Sequence, residues 1–178
     1  MKFVVSSTDL LSHLTAISKV ISNKSTLPIL DNFLFMVTED GLTITASDSE
    51  STLITKLGLD NVEGEGMIAL PAKLLIETLR EFPEQPLTFQ MDLSTFGVQI
   101  FSENGKYSIV GYVGADYPET PVADEDKVET LVVNRKALLK GIEKTLFATA
   151  DDELRPVMNG IYIEFTSDFM SFVASDAH

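Results

Sequence analysis

Three lysines recur at four-residue spacing in the second half of the chain: Lys136, Lys140 and Lys144. Arg135 stands beside the first of them. Side chains four positions apart share one face of a helix, so this pattern predicts a row of cations on a helix surface. Such a row can contact DNA phosphates without reading the base sequence. The residues alone leave a second interpretation open, in which this is an ordinary solvated helix face balanced by Glu143.

Residues that could carry catalysis or bind a metal are sparse in this sequence. The two histidines, His13 and His178, lie far apart, and neither stands in a metal-ligand spacing. The sequence contains no cysteine, no glycine-rich phosphate-binding loop and no serine-nucleophile motif. The acidic groups at 48–50 and 151–153 are typical of solvated turns or helix caps. We therefore predict a protein that is not an enzyme and that uses neither a metal nor a cofactor.

Two consecutive units of strand, helix and three strands are predicted for residues 1–115. Apolar residues at helical spacing begin after Ser7, with Ser7 or Thr8 as the N-cap, and a second helix that carries Leu74 begins near Pro71. The strands, predicted from alternating apolar residues and turn signals, are 2–6, 32–38, 42–47, 51–59, 67–70, 87–91, 97–102 and 106–112.

The second half of the chain repeats the first half. Residues 131–178 align with residues 3–50 without a gap, at an offset of 128. Matched positions that hydrophobic periodicity does not require are Pro28 with Pro156 and an Ala-Ser-Asp run at 46–48 with another at 174–176. A period of this length is typical of a duplicated domain.

A proline-rich, acidic stretch at 117–127 separates the two copies and has the composition of an interdomain linker. We assign a first domain to 1–118, the linker to 119–127 and the first half of a second domain to 128–178. That second copy would lack half of its strands, which would leave an open sheet edge and uncovered apolar faces. The chain is therefore expected to be a fragment of a longer product.

The charge balance argues against a general affinity for nucleic acid. Thirteen Lys and Arg residues stand against 27 Asp and Glu residues, giving a net charge of −14. Binding to phosphates depends on where the cations cluster, so this total still permits a local contact. The N-terminus lacks the apolar segment of a signal peptide, and no stretch approaches the roughly 18 apolar residues of a membrane span. These features predict a cytoplasmic location.

Six short segments occur in an order and at a spacing that resemble one known family. They are MKFVV at the N-terminus, TLPIL at 26–30, LPAKLL at 70–75, YSIVGYVGADYPE at 107–119, RPVMNG at 155–160 and VASDAH at 173–178. Together they resemble the bacterial DNA polymerase III beta subunit, the beta sliding clamp. The resemblance implies an α+β DNA-clamp fold, in which each domain is a pair of β-α-β-β-β units with helices on one side of antiparallel sheets.

The resemblance also implies a function. Family subunits have three such domains, of which the third is absent here, and two subunits join head to tail as a homodimeric ring around duplex DNA. The ring tethers the replicative polymerase, and polymerase subunits and the clamp loader bind it through a short peptide motif. Without a third domain, this chain is expected to be monomeric. The alternative is an acidic protein–protein scaffold with the same fold and no role on DNA.

Particular residues acquire expected roles from the resemblance. The DNA-facing positions are Lys24, Lys73, Arg80, Arg135, Lys136, Lys140 and Lys144. The positions bordering the peptide pocket are Arg155, Met158, Ser175, Ala177 and His178, and because the other walls would follow His178, this chain should bind such peptides weakly or not at all. The ring-closing edge includes Tyr107 and Ile109, although Ile109 suits a core position equally well. The acidic loop 151–153 departs from the family pattern, which leaves a DNA contact there open.

Overall fold

The computed structural model describes residues 1–21, 27–48, 50–120, 130–152 and 154–177. The chain divides into two units, Met1–Pro121 and Val122–His178. Two of the predicted site residues, Lys24 and His178, lie outside the described residues.

The first unit combines short strands with two helices. Its strands are β1 (Lys2–Ser6), β2 (Asn32–Thr38), β3 (Gly41–Ser47), β4 (Thr52–Leu57), β5 (Asp60–Glu63), β6 (Gly66–Pro71), β7 (Pro86–Asp92), β8 (Gly97–Ser102), β9 (Gly105–Val110) and β10 (Tyr112–Val113). The helices are α1 (Ser7–Ile17) and α2 (Ala72–Arg80), and a 3-10 helix spans Pro28–Asp31.

These strands form two antiparallel five-stranded sheets, with the orders β5-β1-β7-β8-β9 and β10-β6-β2-β3-β4. Strand β7 shows how the sequence produces them: Leu87, Phe89 and Met91 are buried, whereas Gln90 between them is exposed. That alternation follows from the two-residue period of a strand, which sends successive side chains to opposite faces. The predicted α+β class is confirmed.

The core of the first unit lies between the sheets and the buried faces of both helices. Phe3 and Phe89, neighbours on paired strands, stack with ring centroids 5.1 Å apart. The large apolar helix residues that are buried are Leu10, Leu14 and Ile17 on α1, and Leu75, Ile76 and Leu79 on α2. Each such side chain contributes about 1.5–3 kcal/mol through burial, so these six positions hold the helices against the sheets.

Two predicted strands differ from those of the structure. The strand predicted at 51–59 is shorter, since β4 ends at Leu57, and β5 at Asp60–Glu63, which was not predicted, belongs to the other sheet. The segment predicted at 106–112 is divided into β9 and β10, and the break between them lies at Gly111. A side chain at that position would place its Cβ 2.7 Å from the carbonyl oxygen of Ala69, so only glycine allows β10 to approach β6 this closely.

The N-cap of α1 is Ser6, and the prediction of Ser7 or Thr8 was wrong. The Ser6 hydroxyl accepts a hydrogen bond from the backbone N–H of Asp9 at 3.3 Å. Ser7 is buried instead, and its hydroxyl donates to the Pro83 carbonyl at 2.8 Å. Ser7 therefore ties the start of the helix to the loop before β7.

The second unit contains α3 (Arg135–Thr145), a 3-10 helix at Pro156–Asn159, and the antiparallel pair β11 (Tyr162–Phe165) and β12 (Met170–Val173). Helix α3 begins 128 residues after α1, and its 3-10 helix begins 128 residues after the one at Pro28–Asp31. The sequence repeat therefore recurs in the elements at the same offset. Gly141 permits close packing of α3 on β12, since a Cβ there would meet the Phe172 ring at 2.5 Å.

Residues 131–133 align with part of β1, but they form no strand. In the first unit, β1 pairs with β5 on one side and β7 on the other. The counterparts of β5 and β7 would fall after residue 178, so this chain offers the segment no matching strands to pair with. Among the described residues, no helix has the length and apolar character to cross a membrane.

Candidate nucleic-acid and partner interfaces

The N-terminus of α3 is fixed by Asn134. Its side-chain oxygen accepts hydrogen bonds from the backbone N–H groups of Lys136 at 3.0 Å and Ala137 at 3.2 Å. These two donors have no partner within the helix itself, which is why asparagine is favoured at this position. The cap sets where the helix begins and therefore which residues share its solvent face.

The predicted cation row lies on that solvent face. Arg135, Lys136, Lys140 and Lys144 are all exposed, and within the described ranges no ion pair within 4.0 Å joins any of them to a carboxylate. Lys144, in the last turn, interacts favourably with the helix dipole, whereas Arg135 and Lys136 in the first turn oppose it. Two cations therefore stand where helix stability alone would favour Asp or Glu. The arrangement suits a surface that attracts anions.

Helix α2 carries the other two predicted DNA-facing positions that the structure describes. Lys73 and Arg80 are exposed, while Leu75 and Leu79 are buried on the opposite side. Seven residues are nearly two full turns, so the two cations lie on one side of α2. Leu74 belongs to the predicted helix but is 47% exposed, so it lies outside the buried stripe.

The acidic loop of the second unit is organised around Asp152. Its carboxylate accepts from the backbone N–H of Leu154 at 2.8 Å and pairs with the Arg155 guanidinium at 2.8 Å. The hydrogen bond from Arg155, followed by that from Leu154, lowers the pKa of Asp152 below its ordinary value. The backbone N–H of Asp152 donates to the Asn159 side chain at 2.9 Å, which links the loop to the 3-10 helix. Arg155 is therefore oriented toward the loop carboxylate.

The described residues expected around the peptide pocket form two local pairs in the second unit. Met158 is half-buried, and its backbone N–H donates to the Arg155 carbonyl at 2.9 Å. Ser175 accepts the N–H of Ala177 at 3.0 Å. Ala177 has φ of 67°, a left-handed conformation that is uncommon for alanine and marks local strain.

The two residues expected at the ring-closing edge differ in exposure. Tyr107 is 43% exposed, and its ring stands edge-on to Phe82, with centroids 5.0 Å apart. Ile109 is only 7% exposed and belongs to the core, so its side chain is not available on an edge surface of this chain. Its backbone still belongs to β9, an end strand whose outer backbone groups can pair with another strand.

The burial of Tyr117 was not predicted, because this residue begins the stretch at 117–127 whose composition is that of a linker. The Tyr117 ring is buried with Leu30 and Ala69 in a small cluster of its own. Burial raises the pKa of its hydroxyl to about 12, and the backbone of Ser47 offsets part of that effect. The available signal was an aromatic residue within an otherwise apolar-poor stretch.

Neither metal binding nor catalysis by the carboxylates at 48–50 has support in this geometry. Among the described residues, no group of three or more His, Asp or Glu side chains is placed to hold a metal ion. Asp48 accepts the backbone N–H groups of Glu50 and Ser51 at 3.0 and 2.7 Å, which is the role of a turn residue.

The sequence profile of one family, described as the DNA polymerase III beta subunit, N-terminal domain, matches residues 1–121. The chain belongs to this family. Similar relatives include the beta sliding clamps of Halalkalibacterium halodurans, at 30% identity, and Synechocystis sp., at 31% identity. The alignments cover 100% of this chain but only 48% and 46% of those two proteins, so the chain spans about half the length of these relatives.

Solved beta-subunit structures share this fold. The DNA polymerase III beta subunit of Thermotoga maritima matches 98% of this chain and 47% of its own, at 26% identity and a TM-score of 0.85. The pol III beta of Caulobacter crescentus matches 100% of this chain and 49% of its own, at 25% identity and a TM-score of 0.86. The predicted resemblance to the DNA polymerase III beta subunit and the predicted clamp fold are both confirmed.

Proposed function

We propose that this chain is part of a DNA sliding clamp, a non-catalytic ring subunit that encircles duplex DNA in the cytoplasm and tethers a polymerase to it. The observation that carries the proposal is the exposed cation row on α3, in a chain with the clamp fold. Family membership supports the same function. The net charge of −14 makes such a row a local exception on the surface of the protein.

The cation row suits sliding because it would bind DNA weakly. Four cations neutralise at most four phosphates, which gives a slope of log K against log salt of about −3.6. Between roughly 50 and 200 mM salt, affinity would fall about a hundredfold. A ring needs only this electrostatic guidance, because encirclement prevents escape and contacts to phosphates do not depend on base sequence.

The partner interfaces are part of the proposal. The outer edge of β9, beside the Tyr107–Phe82 pair, would join a second subunit by strand pairing. The surface that includes Arg155, Met158 and Ser175 would take the short peptide motif of polymerases and the clamp loader. For the chain alone, we expect a monomer and negligible peptide affinity, since the rest of both surfaces would come from other parts of the clamp.

A nuclear magnetic resonance titration of this chain with a short duplex of arbitrary sequence, at low salt, tests the DNA contact. Shifts should concentrate on α3 and disappear in a variant with Lys136→Ala, Lys140→Ala and Lys144→Ala. The matched control is Lys19→Ala, Lys56→Ala and Lys106→Ala, which removes the same charge from exposed positions of the first unit. Equal losses in both variants would mean that the row has no special role and would favour the acidic scaffold.

The ring function needs a second experiment. Residues 1–178 can be joined to the remaining half of the Halalkalibacterium halodurans clamp, whose first half this chain matches. A loaded chimera should stay on nicked circular DNA and leave it when the circle is cut. Retention that survives linearisation would indicate ordinary binding and would contradict a topological clamp.

A further inference from the structure

A cavity in the first unit lies apart from α3 and from the expected peptide surface, although its lining includes Lys73 of the predicted DNA-facing set. It has a volume of about 770 Å³ and lies between the 3-10 helix Pro28–Asp31, the first turns of α2 and the short strand β10. It shares no residue with Arg155, Met158, Ser175 or Ala177, which lie in the second unit. We call it the β10 groove.

The walls of the β10 groove are apolar. Leu74 of α2 and Tyr112 of β10 face it and are 47% and 54% exposed, and Leu27 and Val113 complete this surface. Exposed aliphatic and aromatic side chains gathered in one concave site are typical of a binding surface rather than of scattered surface residues.

The groove is held in shape by buried groups. The Asn32 amide is buried and donates to the carbonyls of Pro28 at 3.2 Å and Ile29 at 3.0 Å, which fixes one wall. On the opposite side, Gly111 donates its N–H to the Phe96 carbonyl at 2.8 Å. Phe96 has φ of 55°, a left-handed conformation rare for an aromatic residue. Local strain is therefore maintained in a wall of the groove, and the site is preformed.

The rim of the groove is acidic. Asp31, Glu77 and Asp116 stand among the lining residues against a single cation, Lys73. Together with the net charge of −14, this excess of carboxylates disfavours a phosphate or another anion and favours an occupant that carries positive charge. The groove therefore combines apolar anchoring with selection for cations.

Strand β10 adds a backbone surface. It stands at the end of its sheet and pairs with β6 through Tyr112 and Val113. In an antiparallel pair, alternate residues direct their N–H and C=O groups away from the partner strand, so one of these two residues offers both groups outward. An extended segment could accept a hydrogen bond from this N–H and donate one to this C=O while its side chains enter the groove.

We propose that the β10 groove is a docking site for an extended segment of a partner protein in which apolar side chains alternate with lysine or arginine. The apolar residues would lie on Leu74 and Tyr112, and the cations would meet the rim carboxylates. This site is distinct from the DNA contact proposed for α3 and from the surface around Met158, and it shares Lys73 with the predicted DNA-facing set.

Fluorescence anisotropy with a labelled hexapeptide of alternating lysine and leucine tests the proposal. Two further peptides serve as controls, one with serine replacing leucine and one with glutamate replacing lysine. The lysine–leucine peptide should bind with a Kd in the range of about 10–100 µM, and both controls should bind at least tenfold more weakly. Equal binding of the serine peptide would show attraction by net charge alone and would overturn the proposal.

Variants locate the site. Leu74→Ser and Glu77→Lys should each weaken peptide binding about tenfold, whereas Leu53→Ser on β4, at a position 41% exposed and outside the groove, should have no effect. Amide shifts on peptide addition should fall on Leu27, Tyr112 and Val113. Shifts confined to other surfaces, or an equal effect of Leu53→Ser, would each contradict a peptide-docking groove.

Discussion

The ring of Tyr107 stands edge-on to that of Phe82, with 5.0 Å between centroids and an interplanar angle of 86°. This contact joins the end strand β9 to Phe82, two residues after the end of α2, and fixes the direction of the Tyr107 side chain at the sheet edge. An edge-to-face pair contributes about 0.5–1.5 kcal/mol beyond the area that it buries.

A double-mutant cycle measures that contribution. Tyr107→Ala, Phe82→Ala and the double variant should show a coupling of about 1 kcal/mol in the free energy of unfolding by urea. Tyr112→Ala serves as the control partner for Phe82→Ala, and these two substitutions should be additive. A coupling near zero between Tyr107 and Phe82 would mean that the ring contact does not persist in solution.

Removing the cap of α3 should loosen its first turn. Asn134→Ala removes the acceptor for two backbone N–H groups and should cost about 1 kcal/mol. Amide hydrogen exchange of Lys136 and Ala137 should then be about fivefold faster. Asn134→Ser keeps an acceptor and should restore most of the protection. Unchanged exchange in the alanine variant would contradict the capping role.

Tyr117 should make stability fall at high pH. Burial raises the pKa of its hydroxyl from 10.0 to about 12, so between these values the unfolded chain loses the proton while the folded chain keeps it. The resulting contribution is complete below pH 10 and is lost as the pH rises through 12. Tyr117→Phe should remove this decline in the free energy of unfolding, whereas Tyr162→Phe, at an exposed position, should retain it. If the free energy of unfolding depended on pH identically in the two variants, the decline could not be assigned to the raised pKa of Tyr117.

Asp92 should titrate at unusually low pH. The hydroxyl of Ser94 donates to its carboxylate at 2.6 Å and the Ser94 backbone N–H at 2.9 Å, which lowers the pKa of Asp92 from 3.8 to about 2. The stabilisation is present above pH 4 and is lost as the pH falls through 2. Carboxyl resonances followed by nuclear magnetic resonance should give this value, and Ser94→Ala should raise it. Ser102→Ala, in the next turn, should leave it unchanged.

Local patterns predicted those elements whose residues alternate strongly. Strands at 2–6, 32–38 and 97–102 were predicted with the bounds that the structure has. Side-chain alternation determines these strands because one face of each is buried. By contrast, which sheet a strand joins depends on its distant partners, so neither β5 nor the separation of β10 from β9 was predicted from local sequence.

The same distinction applies to the candidate sites. The row at Lys136, Lys140 and Lys144 could be predicted because helical spacing alone places its members on one face. The β10 groove could not be predicted, because Leu27, Leu74 and Tyr112 come from three separate segments that only the folded chain brings together. The burial of Ile109 likewise depends on the core residues that pack against it in the folded chain, and its sequence neighbours do not identify those residues.

The basic first turn of α3 has a consequence for engineering this protein. A search for thermostable variants would favour glutamate at position 135 or 136, since an acidic first turn gains about 0.3–1 kcal/mol from the helix dipole. Each such gain would replace a cation of the row with an anion. Selection for heat resistance and selection for retention on DNA should therefore drive Arg135 and Lys136 in opposite directions, and libraries screened for one property should lose the other.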